Sequence, residues 1–571
     1  MSNSPPAISR LVFALACLCA LAVGCMNSAR AAAPKHNGRQ IYASKCARCH
    51  GPEGTGTKKH KKQLAGNLSV LQLADQIRKT MPEDDPETLT DQQARAVATF
   101  VHDAFYSAVA RARNQPAKID LARLTVRQYR QTVADLIGSF RRPAVWGEQR
   151  GLRGEYYRGR RIGRSRVGDR IDAQLEFDFG TAAPLPKIDE PHSFSIRWSG
   201  SILASETGEY EFVVRTEHAA RLWINDADHP LIDAWVKSGN DMQYKASMRL
   251  TGGRVYPLRL EFTKAKQGVD DSKKRRKKPP SAKASIALLW RRPHGVLQPI
   301  PSRHLSPNAS PEVFVCQTPF PPDDRSFGWQ RGTAVSKAWD RATTSAAIET
   351  AGYVAANLNE LAGTSDDASD REAKLKAFCR ALVQRAFRRP LDKPLEYTFV
   401  DRQFKAAANA DLAVGRVVLL VLKSPRFLFR EVGDAPQAFN VAARLARGLW
   451  DSIPDRELLD AAKAGQLKSK QQLARQAQRM LADRRARTKL HEFLLTWLHA
   501  DTAADLSKDQ QKFSEFDEAA TADLRTSLEL LLHDVIETDG SDFRQLLLTD
   551  EVFLNQRLAK IYGVEANRVS N

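Results

Sequence analysis

The pentapeptide Cys46-Ala47-Arg48-Cys49-His50 constrains this chain more than any other stretch. Two thiols three positions apart on a helical turn can each add to a vinyl group of one porphyrin, and the imidazole that follows then lies under the iron. That order is the sequence sign of c-type haem attachment. Two other chemistries use paired cysteines. A zinc site needs a second ligand pair at short range, and the next cysteine is Cys316. A thioredoxin-like dithiol follows a strand in a βαβ unit, and no such unit is visible around Cys46. One covalent haem is therefore expected on Cys46 and Cys49, with His50 as an axial iron ligand.

A sixth ligand should lie downstream. Met81, followed by Pro82, is the expected one, because a thioether after the first helix is a common second axial ligand and raises the haem potential. His60 is a rival, but it sits in the solvated run Lys58-Lys59-His60-Lys61-Lys62. His102 falls on the closing helix and reads as a surface residue. That helix should start at Thr90, whose Thr-x-x-Gln spacing to Gln93 is that of a capping box. It carries Ala94, Val97, Ala98, Val101 and Phe105 at near-helical spacing. With Gly51-Pro52-Glu53-Gly54-Thr55-Gly56 after the histidine, residues 34–112 resemble a class I cytochrome c.

The 571 residues are too many for one ordinary domain. A net charge of +21 points to anionic partners or surfaces. Residues 1–31 read as a signal peptide: Arg10, the apolar run 11–23, then Ala29-Arg30-Ala31 as a small-x-small cleavage site. A competing lipoprotein-type box ends at Cys25, and a membrane anchor is expected only if that cysteine is lipidated. Export places the protein in the periplasm or at the cell surface, as haem attachment requires, and argues against a nucleic-acid partner. Of the 7 Cys, three lie in the signal and two hold haem. In an oxidising compartment the remaining pair, Cys316 and Cys379, is expected to form a disulfide, the alternative being two buried free thiols.

Beyond the cytochrome segment, 117–148 reads from composition as a helical linker module running to Gly138. From 150 to 306 the pattern changes to alternating apolar and polar residues, as in 194–198, 210–215, 221–224, 256–262 and 284–290, separated by turn residues. This predicts an antiparallel β-sandwich. Gly151-Leu152-Arg153-Gly154-Glu155-Tyr156-Tyr157, Arg197-Trp198-Ser199-Gly200, Glu206-Thr207-Gly208-Glu209-Tyr210 and Ala220-Arg221-Leu222-Trp223-Ile224 resemble the protective-antigen-type sandwich, a module often used for carbohydrate binding. Its calcium-dependent members carry two adjacent aspartates where this chain has Glu217-His218. An imidazole replaces one oxygen ligand there, which disfavours calcium. Trp198, Trp223 and Trp235 read as core residues. The basic insertion 264–283 reads as a solvated hairpin; its functional alternative is a hold on an anionic polysaccharide or membrane surface.

Residues 307–433 and 434–566 read as two helical modules. Arg385-Ala386-Phe387-Arg388-Arg389-Pro390 marks a helix end at Pro390. With Lys423-Ser424-Pro425-Arg426-Phe427-Leu428-Phe429-Arg430, Leu449-Trp450-Asp451-Ser452-Ile453-Pro454-Asp455 and Val552-Phe553-Leu554-Asn555-Gln556-Arg557-Leu558 following in this order, the region resembles the C-terminal modules of planctomycete cytochrome-like proteins of unassigned function, which carry paired cysteines at the positions of Cys316 and Cys379. The expected fold is multidomain, α and β: an N-terminal all-α cytochrome c domain, a central antiparallel β-sandwich and C-terminal all-α domains. No catalytic residue can be assigned. Arg388, Arg389, Asp455 and Asp517 read as caps and interdomain salt bridges. Two function classes stay open: an exported electron carrier with a redox partner protein and a sandwich that binds glycan or a partner, and a haem-dependent oxidoreductase acting on an extracytoplasmic carbohydrate. A non-enzymatic surface-binding scaffold is a third.

Overall fold

The computed structural model describes residues 38–564 except 59, 61–62, 87, 108–109, 111–121, 237–240, 265–281, 327–328, 431–435, 501–507, 510, 538–541 and 543. The expected leader, Cys25 and the basic run 273–280 lie outside the described residues. The chain divides into two compact units, Met1–Ile119 and Asp120–Asn571.

In the first unit, helices Val70–Thr80 and Asp91–Val101 each begin with a capping box, from Ser69 to Gln72 and from Thr90 to Gln93. Their apolar faces meet Tyr42 and Phe105 in a small core of Leu73, Ala74, Val97, Ala98 and Val101. Gly38 crosses the Asp91–Val101 helix so closely that a Cβ would overlap the Ala96 carbonyl.

The second unit holds the predicted sandwich. One antiparallel sheet runs in the order β2 (Arg166–Asp172), β1 (Leu152–Arg158), β4 (Phe194–Ala204), β9 (Arg254–Thr263), β6 (Ala219–Ile224) and β7 (Ile232–Ala234), with β12 (Leu305–Ser306) also on β4. The other runs β11 (Leu297–Pro299), β10 (Ala284–Arg291), β5 (Gly208–Thr216) and β8 (Gln243–Leu250), with β3 (Glu176–Gly180) on β10. Alternate residues fill the space between the sheets: Phe194, Ile196 and Trp198 from β4, Tyr210, Phe212 and Val214 from β5, Leu258, Leu260 and Phe262 from β9, and Ile286, Leu288 and Trp290 from β10. This is the period-2 pattern that the sequence carries.

Helix Val126–Gly138 is not a spacer. Tyr129, Val133, Leu136 and Ile137 are buried in one core with helices Lys337–Ala356, Arg371–Phe387 and Ala410–Lys423. Helix Arg371–Phe387 ends two residues earlier than Pro390 requires, because Arg388 turns left-handed (φ 59°) and its N–H donates to the Arg385 carbonyl. The expected Cys316–Cys379 disulfide is not present; both are free, buried thiols. The Cys316 Sγ lies 3.5 Å from a Glu349 carboxylate oxygen, which also accepts from Thr318. Cys379 is enclosed within helix Arg371–Phe387 and its apolar neighbours. Burial, joined at Cys316 by the Glu349 charge, pushes both thiols up to about 12, which keeps them protonated.

One end of the sandwich is bolted to the helices by buried charge. Asp135 accepts from Arg254 of β9 at 2.5 Å and from Arg485 at 2.8 Å. Burial raises its carboxyl pKa, but the two guanidinium groups outweigh burial and hold it at about 2. A second bolt joins the 204–208 and 291–304 loops to helix Glu518–Glu537. Glu206 sits between Arg292 and Arg525 at 3.4 and 3.1 Å. Glu529 accepts from Arg292, Arg525 and Arg303 at 2.8, 3.1 and 3.4 Å. The backbone is as close: a Cβ at Gly252 would lie 2.8 Å from the Thr488 methyl. Among the described residues no helix is long and apolar enough to cross a membrane.

Candidate haem site and sandwich ends

Cys46, Cys49 and His50 share one turn. Cys46 closes a π-helical turn, Tyr42–Cys46, and Cys49 and His50 end the helix Ala47–His50 that follows at once. All three side chains are half-buried. The turn is fixed from both sides. The Tyr42 hydroxyl donates to the Gly51 carbonyl at 2.7 Å, and the Gly56 N–H donates to the His50 carbonyl at 2.8 Å. Gly51 (φ 75°) and Gly54 (φ 68°) adopt left-handed backbone, and a Cβ on Gly54 would sit 2.8 Å from the Phe105 ring. The glycine spacing after the histidine is therefore a packing requirement.

Met81 follows helix Val70–Thr80 directly, extended and half-buried, its N–H donating to the Ile77 carbonyl at 3.0 Å. The loop it opens folds against the cysteine turn: Arg48, between the two cysteines, ion-pairs with Asp84. Burial lowers the His50 pKa; nearby His60 lowers it further, and Glu83 of the Met81 loop opposes. The imidazole is thus neutral at neutral pH, the form that can bind a metal. His60 is exposed, and His102 lies beside Asp103 at 3.3 Å.

Tested against the haem that the turn implies, these residues fit. Two thiols and an imidazole on one turn, a thioether on the facing loop, and partly buried Leu64, Leu68, Val70, Ile77 and Phe100 around them suit an apolar macrocycle with nitrogen and sulfur ligation. No group of three or more His, Cys, Asp or Glu that could hold a metal ion occurs among the described residues.

In the sandwich, the Glu217 carboxylate accepts from the Ser285 N–H at 2.9 Å and from its hydroxyl at 2.8 Å. The His218 Nε2 lies 2.8 Å from the Lys283 carbonyl. Both groups thus serve to close the β5–β6 corner onto β10. Trp198 and Trp223 are buried as expected, and the Trp198 indole donates to Asp172 at 2.7 Å. Trp235 is half-exposed beneath the Arg221 guanidinium.

Of the charged residues read as caps and ion pairs, Asp455 and Asp517 are placed so, whereas Arg388 and Arg389 donate to backbone carbonyls. Asp455 caps helix Arg456–Lys463 and pairs with Arg479 at 2.7 Å. Asp517 accepts from the Ala520 N–H. Buried Arg388 donates to the Arg426 carbonyl at 2.7 Å. The sequence reading missed two features. One is the bolt set of Asp135, Arg254 and Arg485 with Glu206, Arg292 and Glu529. The other is the β1–β2 hairpin, whose signal was legible: Arg158, Arg160, Arg161, Arg164 and Arg166 within nine residues.

Three stretches match protein families. Residues 33–101 match cytochrome c oxidase, cbb3-type, subunit III; residues 148–295 match the PA14 domain; residues 437–564 match a protein family of unknown function, DUF1592. The chain is 28% identical over 165 residues to the anti-sigma-I factor RsgI3 of Acetivibrio thermocellus, which covers 29% of this chain and 22% of that protein. It thus spans about a fifth of that relative's length. Among solved structures, an anti-sigma factor domain-containing protein is 26% identical, covering 29% of this chain and 50% of that one, with a TM-score of 0.24. A PA14 sugar-binding domain from an RTX adhesin is 14% identical, covering 28% of this chain and 99% of that one, with a TM-score of 0.21. The chain is therefore a multidomain protein with a cytochrome c domain, which implies a haem cofactor and electron transfer, and with a PA14 β-sandwich.

Proposed function

We propose that the protein is an exported electron carrier with one covalent haem, bound through thioethers at Cys46 and Cys49 and ligated by His50 and Met81. When bound, the haem supplies a reversible one-electron couple. The residues of the chain supply the rest. The Tyr42–Gly51 and Gly56–His50 hydrogen bonds orient the imidazole. The Arg48–Asp84 ion pair holds the Met81 loop against the turn, and the surrounding leucines limit water. The observation that carries this reading is the Met81 loop folded onto the Cys46–His50 turn. The cofactor's electron is exchanged with a redox partner protein in the periplasm or at the cell surface. The PA14 sandwich brings that chemistry to carbohydrate or to a docking partner.

The test is spectroelectrochemical titration of protein matured in a haem-competent periplasm. A single reversible one-electron wave, unchanged by added glycans, is expected. Haem reduction driven by a glycan alone would make the protein an oxidoreductase and overturn the carrier role. Material without covalent haem would leave only a surface-binding scaffold.

A further inference from the structure

The two ends of the sandwich differ in kind. The end built from the 204–208, 250–254 and 291–304 loops is closed by helices. Arg254 and Glu206 are held there by Asp135 and Arg525, and the Thr207 N–H donates to Glu492 at 3.3 Å. The strand directions put the other loops at the opposite end. β1 stops at Arg158 where β4 begins at Phe194, and β4 begins where β9 stops at Thr263. The β1–β2 turn, the start of β4 and the departure of the chain at Lys264 therefore share one end.

That end carries the arginine hairpin. Its base is braced. Arg158 donates to the Lys187 carbonyl at 2.9 Å and pairs with Asp189 at 3.3 Å. Arg166 pairs with Glu155 and Asp169 at 2.9 and 3.1 Å. The turn between is held by the Arg158 N–H to the Ser165 carbonyl at 3.0 Å, with Gly159, Gly163 and Ser165 all left-handed. Arg161 and Arg164, at the tip, are exposed, and their side chains make no ion pair or hydrogen bond among the described residues. The bland reading is a solvated turn. Against it stands the arrangement: a turn stiffened at its base presents two unpaired guanidinium groups on a strand edge. Guanidinium forks pair bidentately with oxyanions. The single apolar residue of the turn, Ile162, is half-buried, so the tip has no side chain to insert into a bilayer.

We propose that the 158–166 hairpin is a docking surface for a polyanionic polysaccharide, with Arg161 and Arg164 as its contact groups. This rests on reading the sandwich as the glycan-binding module and names the class of glycan and the end that takes it. It is independent of calcium, since Glu217 and His218 are engaged by Ser285 and Lys283.

The test uses the full mature chain, with dextran sulfate, neutral dextran and phosphatidylserine vesicles as probes. The wild type should bind dextran sulfate, not dextran, with an affinity that falls steeply with salt and is unchanged by a calcium chelator. Arg161→Ser with Arg164→Ser should weaken it by about tenfold or more, the scale of losing charge-assisted contacts. Both positions are exposed turn residues, so the variant keeps its fold; unchanged haem spectrum and unfolding midpoint check this. Full affinity in the double variant overturns the proposal, as does loss of binding on deleting 265–281 alone. Stronger binding to the vesicles than to dextran sulfate assigns the surface to a membrane. Binding to neutral glycans but not to dextran sulfate sinks the anionic site and leaves the sandwich a glycan module; binding to none sinks both.

Discussion

The haem turn and the bolted seam each gather coordinating or ionisable side chains, and they use them in opposite ways. At the haem turn, Cys46, Cys49 and His50 are half-buried, the two cysteines are free thiols, and hydrogen bonds fix the backbone around them. At the seam, Asp135, Glu206, Arg292, Arg525 and Glu529 are buried and directed at one another. The denser cluster is the architectural one. Density of charge is thus a poor guide to chemistry here, and the fate of each donor atom is a better one.

The comparison can be broken most sharply at Glu529. Glu529→Gln leaves Arg292, Arg303 and Arg525 short of a counter-charge inside the seam. It should cost about 3–5 kcal/mol, the scale of halving a buried ion pair, read by denaturant unfolding of the second unit. A change below about 1 kcal/mol would mean that water reaches the seam. The haem spectrum should not change.

Acid should probe the same seam more gently. Burial is the main reason that His491 titrates at about 4; Glu529 opposes, and Arg525, Arg292 and His533 add to the lowering. Its folded pKa lies below its unfolded value near 6.5, so the unfolded chain takes the proton first. The stability it supports is present above pH ~6.5, falls as pH drops from there, and levels off near 4. Glu206, whose pKa burial raises, works against this loss. His491→Gln should flatten the slope between pH 6.5 and 4; an unchanged slope would place the sensitivity elsewhere.

Changes at the haem unit should move spectra and not unfolding. Met81→Ala should abolish the sulfur-to-iron charge-transfer band of the oxidised protein and lower the reduction potential. A variant that keeps the band assigns the sixth ligand to another sulfur, and a wild type that lacks the band assigns it to a nitrogen ligand, His60 first. The smallest effect is expected for Arg48→Ala. Its pair with Asp84 is exposed on both sides, where solvent screens most of the attraction. The band should persist at neutral pH, with at most a small change in intensity. Loss of the band at neutral pH would make the pair essential to the Met81 loop.

Much of this was legible in the residues, and what was not has physical causes. The Cys46–His50 turn and the Thr90 capping box are local codes, set by chemistry within five residues. Strands β4, β5, β9 and β10 lie inside their sheets and alternate cleanly. The β2 and β8 strands lie at sheet edges, where charged residues such as Arg166, Asp169, Lys245 and Arg249 dilute the apolar signal. Helix Val126–Gly138 read as a linker because Gln128, Arg130 and Gln131 are polar. Those side chains are buried and bonded across the unit: Gln128 donates to Asp451 at 3.1 Å and Arg130 to the Thr318 carbonyl at 2.8 Å. Partners more than 180 residues away leave no local trace. The expected disulfide failed for the same reason: counting cysteines gives no information on where Glu349 lies.

The most direct test of the central claim is the intact mass of the mature protein purified from a haem-competent periplasm. The account predicts a chain that begins after the signal segment and carries the added mass of one haem, retained under denaturing conditions. Cys49→Ala should leave it attached by one thioether at most. A mass equal to the bare polypeptide, with Cys46 and Cys49 open to alkylation, would contradict it.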